Sequence, residues 1–174
     1  MPLSPETLLP FQSLPDTARQ WLLPLDPPTE ASRIAPALET ALAAWRHKGV
    51  QYQAAWTLLE GRILAIAEPS LAEAPSGCAI DGMLRTVHRI AEAAGLTVAD
   101  AQAVVARTEG GLRLFSRSEL EARLADGTLQ DSTSILDLAL YTLGDLRQGR
   151  LEKPLAMTWI GRKYKRQAPA GTGA

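Results

Sequence analysis

The only cysteine of the chain, Cys78, stands in Ser76-Gly77-Cys78-Ala79-Ile80-Asp81, where a strongly amphipathic helix begins. A thiol at a helix start meets unpaired backbone N–H groups and the positive end of the helix dipole, and both favour the thiolate. The chemistry open to it is nucleophilic or redox, with Cys78 as the reacting group and His47 or His88 as its base. The alternative is structural, a small semi-apolar residue filling space beneath a loop. Two sharper thiol motifs fail. A tyrosine-phosphatase loop needs arginine where Leu84 stands, and Arg85 comes one residue late; a thioredoxin-type dithiol needs a second cysteine where Asp81 stands.

The same opening offers a site for an anion. Backbone N–H groups of Ser76, Gly77 and Cys78, with Asp81 and Arg85 a turn further on, make the candidate ligand-binding loop. Gly77 to Gly82 also fits the first half of a P-loop, but Met83 and Leu84 replace the lysine and hydroxyl residue that reach phosphate and magnesium. No ATPase activity is expected from it. The stripe Asp81, Arg85, His88, Arg89, Glu92 reads either as an acid–base or anion site or as a solvated face with Asp81–Arg85 and His88–Glu92 pairs. Gly82 either allows close approach of a backbone or ligand or marks an irregular first turn.

Elsewhere the candidates have structural explanations beside the functional ones. His47, read at the end of a helix, interacts favourably with the helix C-terminus, or serves as base for Cys78 if the fold joins them. Asp131, Ser132, Thr133 and Ser134 bind an anion or serve turns and caps. Arg162, Lys163, Lys165 and Arg166 form a short basic cluster around Tyr164, read as a solvated tail.

The elements that must position these groups are legible in outline. Seven of the 12 prolines fall between Pro2 and Pro28, so residues 1–28 are read as an extended or turn-rich arm lying partly on the body. A helix is predicted from Thr29 or Ser32 to His47, stopped by Gly49. A hairpin follows, Gln51–Leu59 with Arg62–Ala67 through Glu60-Gly61. From about Cys78 to Ala94, Ile80, Met83, Leu84, Val87, Ile90, Ala91 and Ala94 share one side of a helix that Gly95 stops. Ala103–Arg107 and Leu112–Phe115 form a second hairpin, and Ser118 with Glu121 suggests a capping box for a helix ending at Gly127. Thr133–Leu138 and Leu155–Ile160 are read as strands, with a short helix between them capped by Thr142. The expected fold is a single α+β domain over 29–166: a largely antiparallel sheet of two hairpins plus one or two strands, packed with three to four helices. Residues 167–174 are read as a disordered tail.

Several landmarks resemble a family of small uncharacterised bacterial proteins often labelled "ABC transporter ATPase". They are Trp45-x-His47-x-Gly49, Ser76-Gly77-Cys78-x-Ile80-Asp81, Gly127-Thr128-Leu129, Asp145-Leu146, Pro154-Leu155 and Thr158-Trp159. The family usually has S-G-C-S-I-D, where this chain has Ala79 for the second serine, and a long proline-rich start sets this chain apart. The resemblance implies kinship and a common site at the S-G-C motif, and it names no reaction.

Composition narrows the remainder. The 174 residues suffice for one domain with a real core, and a net charge of −1 disfavours nucleic acid or an anionic membrane as partner. A single cysteine excludes an internal disulfide, and two histidines leave little for a metal site. The start of the chain lacks the basic and apolar regions of an export signal, and no apolar run approaches the roughly 20 residues that span a bilayer. The expectation is therefore a cytoplasmic binding or accessory module without metal or cofactor, whose partner is a small anionic ligand or another protein. A thiol-dependent enzyme using Cys78 is the alternative.

Overall fold

The fold is that of a computed structural model, which describes residues 3–71, 73–100 and 102–165. The chain is α+β, with antiparallel sheets and, among the described residues, six α-helices, and it divides into two compact units. The first unit comprises Met1–Ala101 and Leu138–Leu151, the second Gln102–Asp137 and Glu152–Ala174. The expected tail, 167–174, and Arg166 lie outside the described residues.

In the first unit a short helix, α1 (Pro5–Leu8), and a 3-10 turn lead into β1 (Arg19–Asp26). Thus part of the proline-rich arm is an interior strand, in the sheet order β4 (Ala55–Leu59), β5 (Ile63–Glu68), β1, β6 (Thr97–Val98). Proline is tolerated at position 24 because Leu25 N–H bonds Arg62 C=O on the β5 side. The missing Pro24 donor is directed to the opposite side, where its own C=O takes Ala99 N–H at 2.8 Å. Every residue of β5 is buried, so this strand is covered on both faces and reads as an apolar run rather than an alternation.

The helix expected to reach His47 ends earlier. Between α2 (Ala35–Ala43) and the sheet lies a two-stranded ribbon, β2 (Arg46–His47) with β3 (Val50–Gln51). Lys48 and Gly49 both have positive φ, 47° and 84°, the backbone that a two-residue hairpin turn requires and that Gly49 supplies without strain. Gly49 is therefore a hairpin residue, and His47 is not at a helix C-terminus.

The helix α3 (Gly77–Ala93) follows the predicted pattern: Ile80, Met83, Val87 and Ala91 are buried at spacings of three, four and four. Met83, Val87 and Ala91 pack with Leu38, Leu42 and Trp45 against Leu64 and Ile66 of β5. The Ser76 side chain accepts a hydrogen bond from Ala79 N–H at the N-terminus. At the other end Gly95 N–H bonds Glu92 C=O and Leu96 N–H bonds Ala91 C=O, a glycine-closed stop.

The second unit holds a sheet ordered β10 (Glu152–Pro154), β9 (Ser134–Leu136), β7 (Val104–Thr108), β8 (Gly111–Phe115). The two expected hairpins therefore lie in separate sheets, because β1 completes the first and β9 with β10 the second. The capping box of α4 (Arg117–Ala125) is Ser116 with Glu119, two residues before the expected pair; its hydroxyl accepts from Glu119 N–H at 3.3 Å. In the first unit α5 (Leu143–Arg147) is capped by Thr142 as expected.

The expected strand Leu155–Ile160 is instead a 3-10 turn (Leu155–Met157) followed by α6 (Trp159–Lys165). The Thr158 hydroxyl accepts from Gly161 N–H at 3.2 Å, starting a helix where strand propensity alone favours extension. Gly161 packs so closely on that turn that a Cβ would sit 2.9 Å from Ala156 Cα and closer still to the Leu155 carbonyl oxygen. Gly161→Ala will therefore destabilise the second unit by about 3 kcal/mol, the range of an overpacked core. The measurement is urea unfolding together with hydrogen exchange of the α6 amides; unchanged midpoint and protection would refute the close packing.

Candidate functional site

The start of α3 faces a groove of about 560 Å³ whose other wall is the end of α2 and the β2 strand. Cys78, Gly82, Met83 and Arg85 line it from α3, and Trp45, Arg46 and His47 from the other side. The wall is fastened by one buried hydrogen bond: Trp45 Nε1–H donates to the Ala79 carbonyl at 3.0 Å, and Trp45 packs on Tyr52 and, edge-on, on Trp21. The indole thus ties the ribbon to the first turn of α3, fixing the spacing between the two histidine- and cysteine-bearing segments.

Cys78 is exposed and so is not the buried filler that free cysteines often are. Lining the same groove, half-buried His47 shares its surface with the thiol. His88 does not. It belongs to a neighbouring groove lined by Asp81, Gly82, Leu84, Arg85, His88 and Arg89. Asp81 is exposed and lines that second groove, whereas Arg85 and Gly82 line both. Among the described residues no ion pair joins Asp81 to Arg85 or His88 to Glu92, so the stripe is solvated without the expected pairs.

Gly77 and Cys78 are the first two residues of α3, and no acceptor for their N–H groups occurs among the described residues. Ala79 N–H is taken by the Ser76 side chain, which makes Ser76 a helix cap first. No Cβ at Gly77 would meet an atom within 4 Å, and at Gly82 only Arg85 Nη2 at 4.0 Å, so neither glycine is needed for packing. The groove wall contains Arg46, His47 and Arg85 and no carboxylate. It is a positively charged recess with an apolar floor, suited to an anionic group attached to a less polar body. Among the described residues no group of His, Cys, Asp or Glu is arranged to hold a metal ion.

Arg46 and Trp45 escaped the sequence reading because a helix over both assigns them only packing or solvent. The signal present was Lys48-Gly49, a dipeptide that suits a tight hairpin turn. Asp131, Thr133 and Ser134 belong to the second unit, where they make structural contacts. Thr133 bonds Gln130 through both side chain and backbone, Asp131 C=O accepts from Ala156 N–H, and the Ser134 hydroxyl donates to Glu152 at 2.7 Å. From the basic cluster, Arg162 and Lys163 lie on α6; the Tyr164 hydroxyl donates to Glu121 at 2.7 Å, and burial and that carboxylate raise its pKa. No helix of the described residues is long and apolar enough to cross a membrane.

Fold and site together define an α+β protein with a basic, thiol-bearing groove at a helix start. Comparison with family models, curated proteins and solved structures gave no match to this chain.

Proposed function

We propose that this chain is a binding or accessory module whose groove at the start of α3 takes the anionic group of a small ligand, without ATPase activity of its own. One observation carries the reading: Arg46, His47 and Arg85 converge on a recess that contains no carboxylate and opens beside the free N–H groups of Gly77 and Cys78. The resemblance of Ser76–Asp81 to small bacterial proteins fits a common site at this place, and the failed P-loop pattern argues against the ATPase label that family often carries. The test is titration of an isotopically labelled sample with inorganic phosphate, a nucleoside monophosphate and citrate. At least one will shift the amides of Gly77 to Ile80, and Arg46→Glu with Arg85→Glu will weaken that binding by about tenfold or more, as loss of charge-assisted contacts demands. Silence of these amides toward all three ligands removes the proposal.

A second reading rests on the shared groove of Cys78 and His47: a thiol-dependent enzyme in which His47 takes the thiol proton. Its check is the pH dependence of Cys78 alkylation in the wild type and in His47→Gln. A midpoint well below the reference thiol value of about 8.5, moved upward by the substitution, supports it. An ordinary midpoint in both proteins removes it.

A further inference from the structure

Outside that groove, another cation is held in a fixed position without an ion-pair partner among the described residues. Arg19 opens β1, and its guanidinium carbon lies over the Trp21 ring, 5.2 Å from the centroid, and over the Tyr141 ring at 4.9 Å. Directly opposite on β5 stands a carboxylate, Glu68, but Glu68 turns its Oε2 to the N–H and hydroxyl of Ser70, each at 2.9 Å. Among the described residues Arg19 makes no ion pair, and its Nε is buried without an acceptor. Among the described residues its Nη groups make no hydrogen bond either, and unlike Nε they keep some solvent-accessible surface.

The surroundings are pre-organised. Gln20 N–H bonds the Tyr141 carbonyl at 3.0 Å, Leu143 N–H bonds that of Ala18 at 2.9 Å, and Arg19 bridges Thr142 across the two segments. The Tyr141 ring is therefore held beside Arg19 by backbone bonds while 59% exposed. A guanidinium with one nitrogen withdrawn from water ordinarily meets a carboxylate, since ring faces compensate only part of the lost hydration. Here the cross-strand carboxylate of Glu68 bonds Ser70 instead.

We infer that Arg19, walled by Trp21 and Tyr141, is an oxyanion-binding site that takes a phosphate or carboxylate group on its solvent-facing Nη edge. The planar fork matches either group through paired hydrogen bonds, and the rings hold its plane in place. This site shares no lining residue with the groove of Arg46 and Arg85, so the two stand or fall separately.

The test follows the Arg Nε–Hε correlations of the labelled full chain during titration with inorganic phosphate and, in a separate arm, citrate. The Arg19 signal is expected to shift saturably in the millimolar range, and the arm that responds identifies the oxyanion. Arg19→Lys keeps the charge and loses the fork, and will weaken binding about tenfold. Tyr141→Ala, at a ring 59% exposed, will weaken it several-fold and serves if the lysine variant is poorly folded. An Arg19 signal unmoved by both anions overturns the inference. So do shifts of equal affinity in either variant, or shifts confined to Gly77–Ile80 that vanish in Arg46→Glu with Arg85→Glu; this last outcome leaves the groove reading intact.

Discussion

Trp45→Ala will lower the stability of the first unit by about 4 kcal/mol, the range for emptying a buried aromatic site. Trp45 is 7% exposed and is shared by three structures: the core under α2 and α3, the ring contacts with Trp21 and Tyr52, and the hydrogen bond to Ala79. Trp45→Phe separates these. It keeps most of the apolar ring and loses the indole donor, leaving the Ala79 carbonyl without that partner at a cost of about 1–3 kcal/mol. Denaturant unfolding gives both values, and hydrogen exchange at Ile80 and Met83 locates the loosening at the first turns of α3. Because the indole spaces the groove walls, the phenylalanine variant will also bind the responding anion more weakly. A Trp45→Phe protein with unaltered stability, exchange and binding would show that the Ala79 contact holds nothing in place.

The second large effect belongs to the other unit. Glu152, whose side chain is 8% exposed, receives Arg107 Nε at 3.0 Å on Oε1 and the Ser134 hydroxyl at 2.7 Å on Oε2. These groups join the three strands β7, β9 and β10. Burial by itself raises the Glu152 pKa, but the hydrogen bonds and charge of Arg107, with the Ser134 hydroxyl, outweigh it and hold the carboxyl below the ordinary glutamate range. Glu152→Ala will cost about 3 kcal/mol, the lower end for a broken buried pair because Arg107 keeps 30% of its side chain in solvent. Changing both residues to methionine will cost less than the single change, since both charges of the pair are then removed together.

The same pair sets an acid sensitivity with a definite sign. The folded pKa lies below the unfolded one, so the stabilisation is complete above the ordinary glutamate pKa. It declines as pH falls through the lowered folded value. Urea midpoints measured from neutral pH downward will fall in that acidic window for the wild type and fall less for the double methionine variant. Parallel decline in both proteins would remove Glu152 as the cause.

Periodicity carried much of the fold and less of the site. The α3 pattern was legible because Ile80, Met83, Val87 and Ala91 sit one above the other on a helix whatever they pack against, and Ser76 and Gly95 mark its ends locally. Both hairpins and the Thr142 cap were legible for the same local reason. Errors arose where a local preference competed with a partner far along the chain. Prolines from Pro2 to Pro28 spoke for an arm, yet Arg19–Asp26 is a strand because its donors and acceptors find β5 some forty residues later. Leu155–Ile160 looked extended, but Thr158 caps a helix whose Gly161 fits only against the preceding turn.

By itself, then, the sequence determined the α+β class, the amphipathic helix and the position of the lone thiol at its first turn, all of which depend on neighbours within a few residues. Tertiary structure alone decided that His47, rather than His88, shares a groove with Cys78, that Arg46 joins them, and that Arg19 has no ion-pair partner among the described residues. The physical reason is that charge and shape at a site are sums over segments distant in sequence. Their proximity is fixed by strand pairing and by a single indole hydrogen bond, neither of which leaves a local pattern.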